Sequence, residues 1–247
     1  MSRLPRIARV AAVSLDEAQR RAGALGLGAP VAIRVNARAR RLLLRIDATE
    51  RKVELVLPRG VPAEQGLRFL EAQRGWIAAR LEALPQAVPF AEGAIVPVFG
   101  MPHRICRETN SKAPPVAIVD AEIRVRGEAE HVARRVRDHL ARLAARELAS
   151  RARVYAAQIE RPIARVTVRD TKSRWGSCSA KGCLSFSWRL VMAPETVVDY
   201  VVAHEVAHLA EMNHGPRFWR LVQTLTPDCT TPRAWLKRHR SELFSYG

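Results

Sequence analysis

Two histidines with a glutamate between them, in His204-Glu205-Val206-Ala207-His208, are the residues of this chain whose types and spacing most directly imply chemistry. On a helix of about 100° per residue, His208 lies about 40° around from His204 and one turn along, so both imidazoles reach one divalent ion. Glu205 stands beside them, placed to accept a proton from ion-bound water whose pKa falls toward about 7. The implied reaction class is metal-assisted hydrolysis, with a single Zn2+ as the expected cofactor and Glu205 as the catalytic base.

Zinc needs a third protein ligand and one open position. His214 is the favoured candidate. Ten residues after His204 it would point about 280° around a continued helix, so it reaches the ion only if the helix ends first, and Asn213, Gly215 and Pro216 supply a break. This is the ligand spacing of metzincin proteases, although Glu211 stands where those carry Gly and no Met follows Met212. Glu211 is the rival: on an unbroken helix it projects about 20° from His204, as ligand or as an outer partner that orients one. H-E-x-x-H also arises by chance. Here it stands on a strongly apolar helix, Glu195 onward, opened by Pro194 and followed by a third histidine at ligand spacing. His103, His131, His139 and His239 have no such partners and read as ordinary surface or packing residues.

The elements that must position these groups follow from hydrophobic periodicity. Val31/Ile33/Val35, Leu42/Leu44/Ile46 and Val53/Leu55/Leu57 alternate as three strands of an antiparallel sheet, closed by Pro58-Arg59-Gly60. A helix opened by Pro62 is expected through Leu67, Leu70, Trp76, Ile77 and Leu81, ending before Pro85. Gly93 to Ile105 and Val116 to Val125 read as further strands, split by a loop from Glu108 to Pro115. A long helix spans about Glu128 to Ile159, its apolar stripe flanked by Arg134, Arg135, Arg137, Arg142 and Arg146; such a face is most often solvated but suits nucleic acid too. Val166 to Val168 is a short strand. Leu184 to Leu190 alternates as a strand with one buried face, either an edge that takes on substrate backbone or a plain core strand. The metal helix is expected to run to Asn213-His214-Gly215-Pro216, with two short helices after it. Tyr200, one turn before His204, and Arg174 are open alternatives for stabilising an oxyanion. Cys178 has no neighbouring histidine and reads as structural.

The chain has 247 residues, 48% of them hydrophobic, enough for one large or two small cores and against wholesale disorder. A formal charge of +17 favours acidic partners, nucleic acid among them. Nearly all the cations are Arg, and Ala is abundant, a pattern that reflects coding bias as much as a ligand. The four cysteines lack the spacing of a secreted disulfide scaffold or a thiolate zinc knuckle. No segment reads as a secretory signal or a membrane span, so a soluble, cytoplasmic protein without membrane contact is expected. Residues 1–30 show no sustained periodicity and are expected to form a mobile tail.

Beyond H-E-x-x-H, the segments Arg174-Trp-Gly-Ser-Cys-Ser179, Ser187-Trp-Arg-Leu190, Ala193-Pro194, Asp199-Tyr-Val201, Met212-Asn-His214 and Phe218-Trp219 together resemble the YgjP-like metallopeptidase family, related to the SprT-like proteases. Pro58-Arg-Gly-Val61, Trp76-Ile77 and Phe99-Gly100 extend the likeness over about Val31 to Phe244. The resemblance implies a gluzincin-like zinc fold, metal ligands at His204, His208 and His214, Glu205 as general base, and a role in bacterial cytoplasm. The expected fold class is α+β: an antiparallel β-rich part with one helix over 31–127, then a zincin-like metallopeptidase domain over 128–247 with a long helix, a small sheet and the H-E-x-x-H helix. A zinc metallopeptidase acting on peptides or proteins is the leading expectation. The alternatives are a nucleotide phosphohydrolase using the same ion, and a DNA-associated SprT-like protease. Oligomeric state is not legible.

Overall fold

The computed structural model describes residues 13–47, 50–108, 114–171 and 174–247. The architecture is α+β, as the residue pattern implies, and the chain divides into two compact units, one ending at Leu84 and the other starting at Pro85.

In the first unit, α1 (Leu15–Ala24) precedes β1 (Val31–Asn36), β2 (Leu43–Asp47) and β3 (Lys52–Pro58), then α2 (Ala63–Ala72) and α3 (Arg74–Glu82). The strand order is β1-β3-β2, with β1 parallel to β3 and β2 antiparallel to it, so the expected all-antiparallel sheet is mixed. Helix α1 stands within the stretch expected to be a tail; Met1 to Ala12 lie outside the described residues. The helix starts where Ser14 Oγ accepts from Glu17 N–H, and it buries Ala18 and Ala22 completely. Gln19 fastens it to β1 by donating to the Val31 carbonyl and accepting from Ile33 N–H. A two-alanine stripe is too small to register as hydrophobic periodicity, and the side-chain clamp of Gln19 has no sequence signature. The single helix expected from Pro62 is two helices, broken at Gln73.

In the second unit, β4 (Ile95–Val98), β5 (Met101–Glu108), β6 (Val116–Val119) and β7 (Glu122–Arg126) form a sheet of order β4-β5-β7-β6. Each segment expected as one strand is a hairpin. Phe99 (φ 49°) and Gly100 (φ 79°) turn the first, and Asp120 (φ 51°) and Ala121 (φ 61°) turn the second. Positive φ at both central residues suits the twist of a two-residue hairpin, and Gly100 and, more weakly, Asp120 are residue types that favour it. Much of the Glu108–Pro115 loop lies outside the described residues. This sheet supplies Val96, Ile105, Ile123 and Val125 to the same core as the long helix.

That helix, α4 (Ala129–Gln158), buries Val132, Val136, Leu140, Ala144, Leu148, Ala152 and Ala156, one residue per turn. The alanines in its second half let the next layer approach closely. Beyond it, β8 (Arg165–Arg169), β9 (Gly176–Cys178) and β10 (Cys183–Ser187) form a sheet of order β8-β10-β9, and a 3-10 turn, Trp188–Met192, leads to α5 (Glu195–Ala207), α6 (Pro216–Leu225) and α7 (Thr230–Leu243). Leu184 to Leu190 is thus not an edge strand: β10 is central, paired on both sides, and its alternation continues into the 3-10 turn. The edge on that side is β9. Helix α5 buries residues nearly all around its circumference, as a central helix must. Arg151 of α4 holds it by ion pairs to Asp199 and Glu195. No described helix is long and apolar enough to cross a membrane.

Candidate metal centre

Helix α5 ends at Ala207, with His208 as its cap, about six residues sooner than the sequence leads one to expect. The chain then turns through Leu209 and Ala210, and α6 starts at Pro216, pre-set for the first helical turn. The early end brings His214 back over the helix terminus. Its Nε2 lies 3.2 Å from Nε2 of His204, and the ligand atoms of His204, His208 and His214 all fall within 4.8 Å of one another. Among the described residues this is the one group of three or more potential ligands so placed.

The three rings are held by packing more than by hydrogen bonds. Phe218 of α6, fully buried, stacks on His208 with centroids 4.5 Å apart and meets His204 and His214 edge-on at 4.9 and 4.7 Å. Trp219 adds a wall 5.8 Å from both His204 and His214. His208 Nδ1 lies 3.0 Å from the Glu211 carbonyl, a contact that fixes the proton on Nδ1 and leaves Nε2 bare for an ion. Glu211 therefore contributes its backbone, and its side chain is outside the cluster: once α5 stops at Ala207, the 20° alignment that made it a rival no longer applies. His204 Nδ1 is buried with no hydrogen-bond partner among the described residues.

Burial lowers the His204 pKa to about 4, with His208 and His214 adding to the effect, and burial lowers His208 as well. Both rings are thus neutral at neutral pH, the form that binds metal. Two nitrogens on one tetrahedral zinc, each about 2.0–2.1 Å from it, stand about 3.3 Å apart, close to the His204–His214 separation. The donor set, and the spacing of this pair, fit a zinc-sized ion.

Glu205, 8% exposed, lies against β9. A Cβ on Gly176 would meet its Cγ at 2.5 Å and Oε1 at 2.7 Å, so the carboxylate rests on the bare Cα of that glycine. Burial pushes the Glu205 pKa up to about 7, against a smaller downward pull from the Arg174 charge. Tyr200 is buried, its ring 6.0 Å from His204. The Cys178 thiol is pushed up to about 11 by burial, with the charge of Glu205 nearby, the opposite of an activated nucleophile. Phe218 and Gly176 stood in recognisable motifs, yet nothing in their types revealed their roles. Only the four-residue offset of Phe218 from His214 hinted that the two share a face.

Phe218→Ala removes the surface on which all three imidazoles rest. The variant is expected to lose about 3–5 kcal/mol of unfolding free energy, against less than about 1.5 kcal/mol for Phe218→Leu, measured by urea titration.

Three imidazoles converging past the end of a buried helix make a candidate metal site in a mixed α+β fold. The chain matches the model described as YgjP-like, metallopeptidase domain, over residues 40–239, and it belongs to the YgjP-like metallopeptidase family. Membership makes it a metallopeptidase, a hydrolase of peptide or protein substrates that works with a metal ion. No curated protein and no solved structure matches the chain.

Proposed function

We propose that the protein is a zinc metallopeptidase in which His204, His208 and His214 hold one Zn2+ and Glu205 is the general base. The convergence of three imidazoles, their ligand atoms within 4.8 Å of one another, carries this reading. When held by these three imidazoles, the ion would supply an acidified water and a Lewis acid for the carbonyl oxygen. Glu205 takes the proton of the attacking water on its carboxylate and returns it to the leaving amine nitrogen. A base matched to neutral pH needs a raised pKa, and the burial of Glu205 supplies one. Tyr200, packed beside His204, and Arg174, whose charge is felt at Glu205, are the groups available to oppose charge developing on the carbonyl oxygen. Substrate backbone is placed along β9, the edge strand that carries Gly176, where it extends the sheet by one strand.

The test combines metal content with turnover. Protein purified without chelator is expected to hold one zinc per chain. His214→Ala is expected to lose most of it, whereas Glu211→Ala, which keeps the backbone carbonyl, retains it. Zinc-loaded wild type is then assayed on casein-derived peptides and on a nucleotide panel. Phosphate release without peptide cleavage, or a chain that never binds a stoichiometric ion, would overturn the proposal.

A further inference from the structure

Two cavities adjoin the histidine cluster, and cations line both. The first, about 680 Å³, lies between α6 and α7 and is bounded by Trp219, Gln223, Thr230, Arg233 and Lys237. Trp219 is the wall it shares with the cluster: the indole touches His204 and His214 and also carries the Arg233 guanidinium, 5.8 Å from its centroid. The second, 360 Å³, is bounded by His208 itself, by Arg161 and by Lys181 in the turn between β9 and β10. They share no lining residue, and neither has an aspartate or glutamate in its wall.

The four cations are exposed, and among the described residues none is in an ion pair. Elsewhere arginines find carboxylates, as Arg21 does Glu64 and Arg151 does Asp199. Arg233 and Lys237, one turn apart on α7, are like charges at a spacing where they repel each other. Cations set around a cleft with no internal counter-charge attract an external anion, most strongly at low salt. Their division into two separate compartments suits single side chains better than a continuous phosphate backbone, and the Trp219 face offers apolar surface to the methylene stem of a glutamate.

We infer that the substrate is an acidic polypeptide segment whose side-chain carboxylates enter these two cavities on either side of the bond to be cut, one against Arg233 and Lys237 and the other against Arg161 and Lys181. The inference rests on the peptidase reading of the histidine site. It names the substrate's charge and four residues that select it.

Binding is measured by fluorescence anisotropy on the full chain, zinc-loaded and carrying Glu205→Gln to prevent turnover. The probes are labelled decapeptides with glutamates flanking a central apolar pair, or glutamines in their place. The glutamate peptide is expected to bind at least tenfold tighter, with the difference shrinking as salt is raised. Arg233→Gln with Lys237→Gln, and Arg161→Gln with Lys181→Gln, are each expected to cut that preference severalfold, and the fourfold variant to leave less than twofold. Equal binding of both peptides, or an undiminished preference in the variants, would overturn the inference. So would a loss of affinity on C-terminal amidation alone, which would assign the carboxylate to the chain terminus. An oligonucleotide of equal charge that outcompetes the glutamate peptide through the same four side chains would make this a phosphate surface instead, again overturning it. Cleavage separates the two readings. Wild type that cuts both peptides equally well remains a peptidase without the acidic preference. Wild type that cuts neither, yet prefers the glutamate peptide in binding, retains the preference and loses the peptidase reading.

Discussion

Glu205→Gln is expected to lower kcat/KM for peptide cleavage by about 10²–10⁴-fold, the range set by removing a positioned general base, while zinc content stays at one per chain. The amide keeps the shape of the carboxylate and lies outside the histidine cluster, so the three imidazoles are undisturbed. A folding defect is separable from this loss, because the same substitution is expected to stabilise the chelator-treated protein. Burial holds the Glu205 carboxyl at about 7 against an ordinary 4.5, so ionising it costs the folded state more than the unfolded one. That cost is absent below about pH 4.5, grows as pH rises and is complete above about 7, where it amounts to about 3 kcal/mol at most. Metal-free Glu205→Gln should therefore exceed metal-free wild type in urea stability at pH 8, with the gap closing as pH falls toward 4.5. An inactive variant that is also less stable at pH 8 would contradict this account of the buried base.

Gly176→Ala carries the second large effect, although Gly176 itself takes no part in the reaction. Its Cβ would stand 2.5 Å from Glu205 Cγ and 2.7 Å from Oε1, closer than atoms can approach, so one of them must move. The far end of a glutamate side chain moves more cheaply than strand backbone paired to Phe186, so the carboxylate swings away. Gly176 is not among the residues with positive φ, and an alanine there meets no backbone strain of that kind. Stability should change little. A displacement of about 1 Å at the base, however, is expected to lower kcat on the order of 10²-fold. KM and zinc content should hold near wild type, and the kcat–KM split distinguishes a displaced base from a damaged cleft. Unchanged kcat in a folded, zinc-bound Gly176→Ala protein would remove Glu205 from its proposed role or show that the strand yields instead.

The contrast between Glu205 and Gly176 marks where sequence reasoning reached its limit. Glu205 stood out because an acid beside two histidines at helical spacing has a meaning fixed by 3.6 residues per turn. Gly176 showed nothing comparable. Its function is an absence of atoms, visible only when β9 lies across α5. The same holds for Ala18 and Ala22, whose burial followed from a neighbouring strand, and for Ala121 and Phe99, which adopt a positive φ that their residue types do not advertise. The end of α5 departs from the stop signal in the sequence for a related reason. Asn213-His214-Gly215-Pro216 carries the strong stop signal, yet the helix finishes at Ala207, where the capping His208 takes the Glu211 carbonyl as partner and Phe218 fills the space behind.

The sequence by itself determined the α+β class, the long helix to within a residue at each end, the helix that presents His204 and Glu205 with His208 at its end, and the family to which the chain belongs. These depend on periodicity and on residue types repeated at short range, which a linear pattern records. The tertiary structure alone decided that β10 is central and β9 the edge, that the chain divides after Leu84, that Glu211 serves through its backbone, and that two cationic cavities adjoin the histidines. Each of these depends on which surfaces meet across long stretches of chain. That is settled by the free energy of burying them together, and no local spacing encodes it.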